Sequence, residues 1–199
     1  KTRSTISATI RLTEVSAAHC AVFPGVPDGR AAMARQTTGP PLALPALGVS
    51  KGTYVLVLAV ALPLRLAIGK LGTFDFPAGW YAYAGSARGP GGLAARLRHH
   101  LQVAVRPHWH IDYLRKGAGL AEIWYGRAAD HDEHRWAGGL AAMRGADLVG
   151  AGFGSSDCRC ATHLIFFPAR PNAARFRQKV RYLQGKGHGP IYRLSVSRN

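Results

Sequence analysis

An α+β fold, a small mixed sheet covered by helices, is what this sequence predicts. Short apolar runs, helical stripes and glycine-rich loops follow one another irregularly through residues 51–168, with hairpin-like links early on. Nearly all of the aromatic and β-branched periodicity falls in that stretch. Hydrophobic residues make up 47% of the chain, enough for a core. No uninterrupted apolar run reaches the length of a bilayer span, which argues against a membrane-spanning protein.

Residues 53–62 are apolar with Val and Tyr and read as a buried strand. Residues 65–69 read as a second, short strand before the turn GKLGTFDFPAG. Residues 80–84 alternate aromatic and small side chains, a strand by composition, and SARGPGG is a loop. A helix is predicted over 93–102, and another starts at 109–114 after Pro107. Residues 120–125 read as a strand and 132–144 as a helix. GAGFGSSDCRC is an extended loop leading into a strand over 163–167. Residues 1–50, with Pro and Gly clustered in FPGVPDG and TTGPPLALPALG, hold no period for long and read as a disordered extension.

Charge narrows the partners. Lys+Arg number 26 against 10 Asp+Glu, for a net charge of +16 and a pI near 10.7. A field of that sign favours polyanions, nucleic acid first and anionic membrane second. The charge is +3 over residues 1–50, +5 over 51–168 and +8 over 169–199, where no acid occurs. The last segment reads as a basic tail that adds salt-sensitive affinity or simply solubility. The odd count of 3 Cys argues against a disulfide scaffold and fits a reducing, cytoplasmic compartment.

Two helical wheels single out side chains. Over 93–102, Leu93, Leu97 and Leu101 form the apolar stripe. Arg96 and His100 lie beside it, one turn apart, placed to project over a groove, while Arg98 and His99 point further out. The bland alternative makes Arg96 a snorkelling flank residue. Over 132–144, Trp136, Ala137, Leu140 and Ala141 form the apolar face with Glu133 in its centre. A carboxylate aimed at a core needs a metal, an Arg or hydrogen-bond donors. A capping box from Asp130 to Glu133 would also account for it.

Beside these stand two tripeptides, GTY (Gly52, Thr53, Tyr54) and YAG (Tyr83, Ala84, Gly85). The strings GTYVLVL, GWYAYAGSARGPGGLAARLRHHL, HWHIDYL, DEHRWAGGL and GFGSSDCRCATHLIFF, in that order, resemble the GIY-YIG endonuclease superfamily. The closer likeness is to its Uri-type branch, a domain also found joined to endonuclease III-like proteins. That resemblance implies a sheet of about three strands, mostly antiparallel, flanked by helices. It further implies a metal-dependent endonuclease acting on DNA, in the cytoplasm with the nucleoid, alone or beside a base-excision or other repair enzyme.

By the same resemblance Tyr54 and Tyr83 line the active site and help activate the attacking water, and Arg96 holds the scissile phosphate. His100 matches a histidine one turn after that arginine. Glu133 matches the carboxylate that binds a single divalent ion, usually magnesium. Ser86, Arg88 and Arg98 are read as nucleic-acid contacts beside them. Such roles suit phosphodiester hydrolysis, which needs charge neutralised on the non-bridging oxygens, a positioned water and a stabilised leaving oxygen.

Three departures from the family pattern stand out. Thr53 and Ala84 replace the middle isoleucines, and the gap from Tyr54 to Tyr83 must hold an extra hairpin. The loop from Ser155 to Cys160 stands where many members carry an asparagine.

Two other functions stay in view. One is a nucleic-acid-binding module without turnover. The other is a zinc-stabilised interaction domain, with Cys158, Cys160 and His163 as ligands and His108, His110 or His134 as the fourth. C-x-C-x-x-H lacks the usual pair of separated knuckles, so its spacing alone is a weak signal. His108 and His110 flank Trp109 in an HWH run that reads more as packing than as a nucleic-acid contact.

Overall fold

TYVLVLAV offers apolar or aromatic side chains on both faces of a strand, so it needs cover on both sides. The computed structural model describes residues 48–127, 133–184 and 189–196, and in it this segment is β1 (Thr53–Val60), buried along its whole length. In chain order there follow β2 (Leu64–Ala67), β3 (Thr73–Phe76), β4 (Gly79–Ser86), α1 (Gly92–Leu101) and α2 (His110–Arg115). Then come β5 (Gly119–Gly126), α3 (Glu133–Ala141), β6 (Asp147–Leu148), β7 (Leu164–Phe167), α4 (Ala173–Gln184) and β8 (Ile191–Ser195).

Six of the strands form one sheet in the order β6-β7-β4-β1-β5-β8, and every adjacent pair in it is antiparallel. The α+β class and the antiparallel bias therefore hold, but the sheet is twice the expected size. β2 and β3 make a separate hairpin, the insertion that the long gap between the two tyrosine motifs demands.

Alternation along β1 sorts its side chains onto two cores. Tyr54, Leu56, Leu58 and Val60 face one side with Tyr81 and Tyr83, under Leu93 and Leu97 of α1, Ile111 and Leu114 of α2, and the hairpin residue Phe76. Val55, Val57 and Ala59 face the other side with Trp80, Ala82, Ala84 and Trp124, under Trp136 and Leu140 of α3 and Phe176 and Val180 of α4. The sheet is thus a middle layer. Trp136 meets Phe176 edge-on with centroids 5.3 Å apart, which ties α3 to α4. Burying such a ring is worth about 1.5–3 kcal/mol.

The basic tail is corrected. Residues 173–184 form a helix whose buried residues Phe176 and Val180 stand one turn apart among Arg and Lys, and 191–195 add an edge strand beside β5. The apolar stripe of Ala173, Phe176 and Val180 is short and set among so much charge that it reads as a tail. The turn expected over GKLGTFDFPAG holds a 3-10 turn (Gly69–Leu71) and β3, which alternates but is only four residues long between two glycine-bearing turns. α3 ends at Ala141, which is exposed, instead of running on to residue 144. Residues 1–47, with their expected disorder and Cys20, and Asp130, the expected cap, lie outside the described residues.

Candidate active site

β1 and β4 pair with Tyr54 opposite Gly85 and Leu56 opposite Tyr83, so both phenols point to the same face of the sheet. The glycines of the two tripeptides have steric roles. A Cβ on Gly85 would lie 2.5 Å from the Tyr54 hydroxyl, and one on Gly52 would lie 2.1 Å from the Gly126 carbonyl. Only glycine lets the Tyr54 ring lie flat against the neighbouring strand.

Glu133 reaches the same place by another route. The body of α3 packs on the opposite face of the sheet, yet Glu133 lies in the first described turn and reaches the side of the two phenols. A groove of about 430 Å³ is lined there by Tyr54, Tyr83, Arg96 and Glu133, with Ser86 and Asp157 also in its wall. Its remaining lining includes Trp109, His108, His110 and His163. The four side chains singled out for chemistry therefore share one concave surface.

Arg96 is set from α1, with its guanidinium carbon 3.8 Å from the centre of the Trp109 ring. Stacking of this kind fixes the plane of the guanidinium while leaving its N–H groups for an anion. Glu133 accepts a hydrogen bond from Arg88 Nη2 through Oε2, at 3.1 Å. The Arg88 side chain is 60% exposed, so this pair is easily exchanged for another partner. Arg98 is exposed on α1 and is not part of the groove lining.

His100 departs from expectation. It does not project over the groove; it is 1% exposed and stands behind Tyr54, with Nε2 2.8 Å from the phenol oxygen. α2 brings Asp112 against it, and packing between the two helices closes over the ring. Burial first, and then His99, Arg96 and Arg115, push His100 down to about 3 against the pull of Asp112, so the imidazole is neutral. Asp112 Oδ1 lies 3.9 Å from its Nδ1, which favours the proton on that nitrogen. Nε2 is then bare and accepts the Tyr54 O–H.

Asp112 is the residue the sequence reading missed. It is 2% exposed and accepts from the backbone N–H groups of His108 and Trp109 and pairs with His99 Nε2 at 2.9 Å. Burial opposes its ionisation, but those donors outweigh it and hold the carboxyl below the usual aspartate range. Its place three residues after Trp109, at the start of a helix, was the available signal.

The two phenols are strongly shifted upward. Burial is the main cause for both. The charges of Asp112 and Glu133 add to it, and Arg96 acts in the opposite sense. Both phenols stay protonated near neutrality. His100 Nε2 holds the Tyr54 O–H at 2.8 Å, which fixes the phenol and leaves its oxygen a lone pair for a further donor.

Beside the groove, His134, Cys158, Cys160 and His163 converge, with their ligand atoms all within 4.8 Å of one another. His134 is the histidine that joins the C-x-C-x-x-H segment. His108 and His110 do not, and His110 Nδ1 instead accepts from Gly154 N–H at 3.0 Å.

The model of a family described as domain of unknown function DUF123 matches residues 53–184. No curated protein and no solved structure gives a match.

Proposed function

From the premise that this chain belongs to the DUF123 family, which is GIY-YIG-like, we propose that it is a metal-dependent DNA endonuclease of the Uri-type branch. One observation carries the reading: Tyr54, Tyr83, Arg96 and Glu133, from four different elements, line a single groove in a chain of net charge +16. A groove with a cation and a carboxylate facing two phenols suits a phosphodiester better than it suits an apolar ligand.

The residues present fit one hard cation. Glu133 would hold it, with Asp157 across the groove, and a phosphodiester oxygen and water would complete its shell. When bound, a divalent cation supplies charge neutralisation at the scissile phosphate and at the leaving oxygen. Arg96, seated over the Trp109 ring, grips the non-bridging oxygens. Tyr54, its O–H held by His100 Nε2, accepts a hydrogen bond from the attacking water and positions it. Tyr83, protonated by the same burial, donates a hydrogen bond that orients the water. Arg88 leaves Glu133 for a DNA phosphate, and Ser86 adds a neutral contact at the rim. Work beside a base-excision or other repair enzyme is the partner this chemistry suits.

The test is cleavage of plasmid and branched DNA with magnesium, comparing the wild type with Glu133→Ala and Arg96→Ala. Losses of about 100-fold or more are expected for each variant, and for the wild type with chelator. Equal activity in all three proteins rejects the assignment. The Arg88–Glu133 ion pair favours a second reading, a DNA-binding module whose carboxylate is kept from metal. It predicts salt-sensitive filter binding with no cleavage of any of these substrates.

A further inference from the structure

We infer that His134, Cys158, Cys160 and His163 bind a zinc ion that fastens the loop between β6 and β7 to the first turn of α3. This rests on a cluster beside the groove and not on the nuclease reading.

Three of the six separations among the ligand atoms match a tetrahedral site, and all lie within 4.8 Å. His134 Nδ1 lies 3.3 Å from His163 Nε2, Cys158 Sγ lies 3.5 Å from His163 Nε2, and Cys160 Sγ lies 3.6 Å from His134 Nδ1. Zinc bonds of about 2.0–2.1 Å to nitrogen and about 2.3 Å to sulfur, set at the tetrahedral angle, give edges of about 3.3 Å for N···N and about 3.5–3.6 Å for N···S. The three separations are those edges. As hydrogen bonds they are poor, because the N···N contact exceeds the usual range of about 2.7–3.2 Å for a good bond to nitrogen.

Chemistry and topology agree with the geometry. Two thiols and two imidazoles are the donor set for zinc, and four protein ligands leave no open position, which marks a structural ion. Cys158 and Cys160 stand in the loop and His163 just before β7, while His134 comes from a separate helix, so an ion would join two segments that are distant in sequence. The loop needs such a tie. Residues 149–163 contain no helix or strand and turn through Gly150, Gly152 and Gly154, all at positive φ. The ion would also set the groove, since His134 follows Glu133 directly and His163 is part of the lining.

The experiment measures metal in the full chain purified under reducing conditions without added zinc, by elemental analysis and chromophoric release. About one zinc per chain is expected, falling at least ~10-fold in Cys158→Ser and in His134→Ala. Should those variants fail to fold, cobalt(II) titration of chelator-treated wild type decides instead. Tetrahedral d–d bands with thiolate-to-cobalt charge transfer support the site. Octahedral cobalt without charge transfer, or a chain that holds no zinc and takes up no cobalt, overturns it. Limited proteolysis within residues 149–162 is expected to quicken at least ~10-fold on chelation and to slow again with zinc, and an unchanged rate overturns the fastening role. DNA cleavage is scored separately: a chain with stoichiometric zinc and no cleavage keeps this inference and sinks the nuclease reading.

Discussion

Glu122 and Glu133 are both nearly closed off from water and both have arginine beside them, yet the molecule treats them differently. Glu122, on β5, accepts from Trp124 Nε1 at 2.7 Å and Arg193 Nε at 2.8 Å, and it also pairs with Arg170. Burial opposes its ionisation, but these donors and charges outweigh it and hold the carboxyl below the usual glutamate range. Among the described residues Glu133 pairs with one mostly exposed arginine, and it faces a groove. A carboxylate saturated with donors welds elements together. One left with a lone, exchangeable partner keeps its charge available for a ligand. The comparison also explains the C-terminal cations: Arg170 and Arg193 are neutralisers of a buried acid, one of them on the edge strand β8, and not part of a solvated tail.

Swapping the two roles gives the largest expected effect. Glu122→Ala should lower unfolding free energy by about 3 kcal/mol, the lower end for a broken buried pair because both arginines are about half exposed. Glu133→Ala should change it by less than about 1 kcal/mol, since its partner is exposed. Urea unfolding of both variants checks this, and similar losses would erase the distinction.

A second test uses pH. His100 goes from the ordinary 6.5 to about 3 on folding, so the unfolded chain binds the extra proton. Stability should therefore be flat above pH 6.5 and fall below it by up to ~1.4 kcal/mol per pH unit until about pH 3. Asp112, held low in the fold, adds its own loss as pH falls through the carboxylate range. His100→Gln should flatten the upper part of that fall in urea midpoints, and an unchanged slope would place the sensitivity elsewhere.

The smallest effect is expected at Arg88. Arg88→Ala should shift stability by under about 0.5 kcal/mol. It should also lower the magnesium needed for half-maximal cleavage by ~2-fold, because a competing cation leaves Glu133. An unchanged or higher requirement would mean that Arg88 does not compete with the ion for Glu133.

Much of this was legible in the residues because it is local. A doubly buried strand reads as a run of apolar residues, and the wheel of α1 placed Arg96 at the border between core and solvent. His100 could not be read this way. Its neighbour on the wheel is solvent until α2 arrives with Asp112, from the far side of a loop. The same holds for Glu133, whose wheel position suggested a core-facing acid. It reaches the groove beside Tyr54 and Tyr83, where Arg88 pairs with it.

Composition and local period alone established a basic α+β chain with a buried central strand and an amphipathic helix bearing Arg96 at its border, while only the family resemblance singled out the two tyrosines. Those traits depend on neighbours a few residues apart, and torsion preference and solvent transfer act at that range. Which acid is sealed and which is exposed to a ligand, how many strands join the sheet, and whether two cysteines and two histidines come within reach of one ion were settled by packing. Such contacts join positions tens of residues apart, and no local pattern encodes the distance between them.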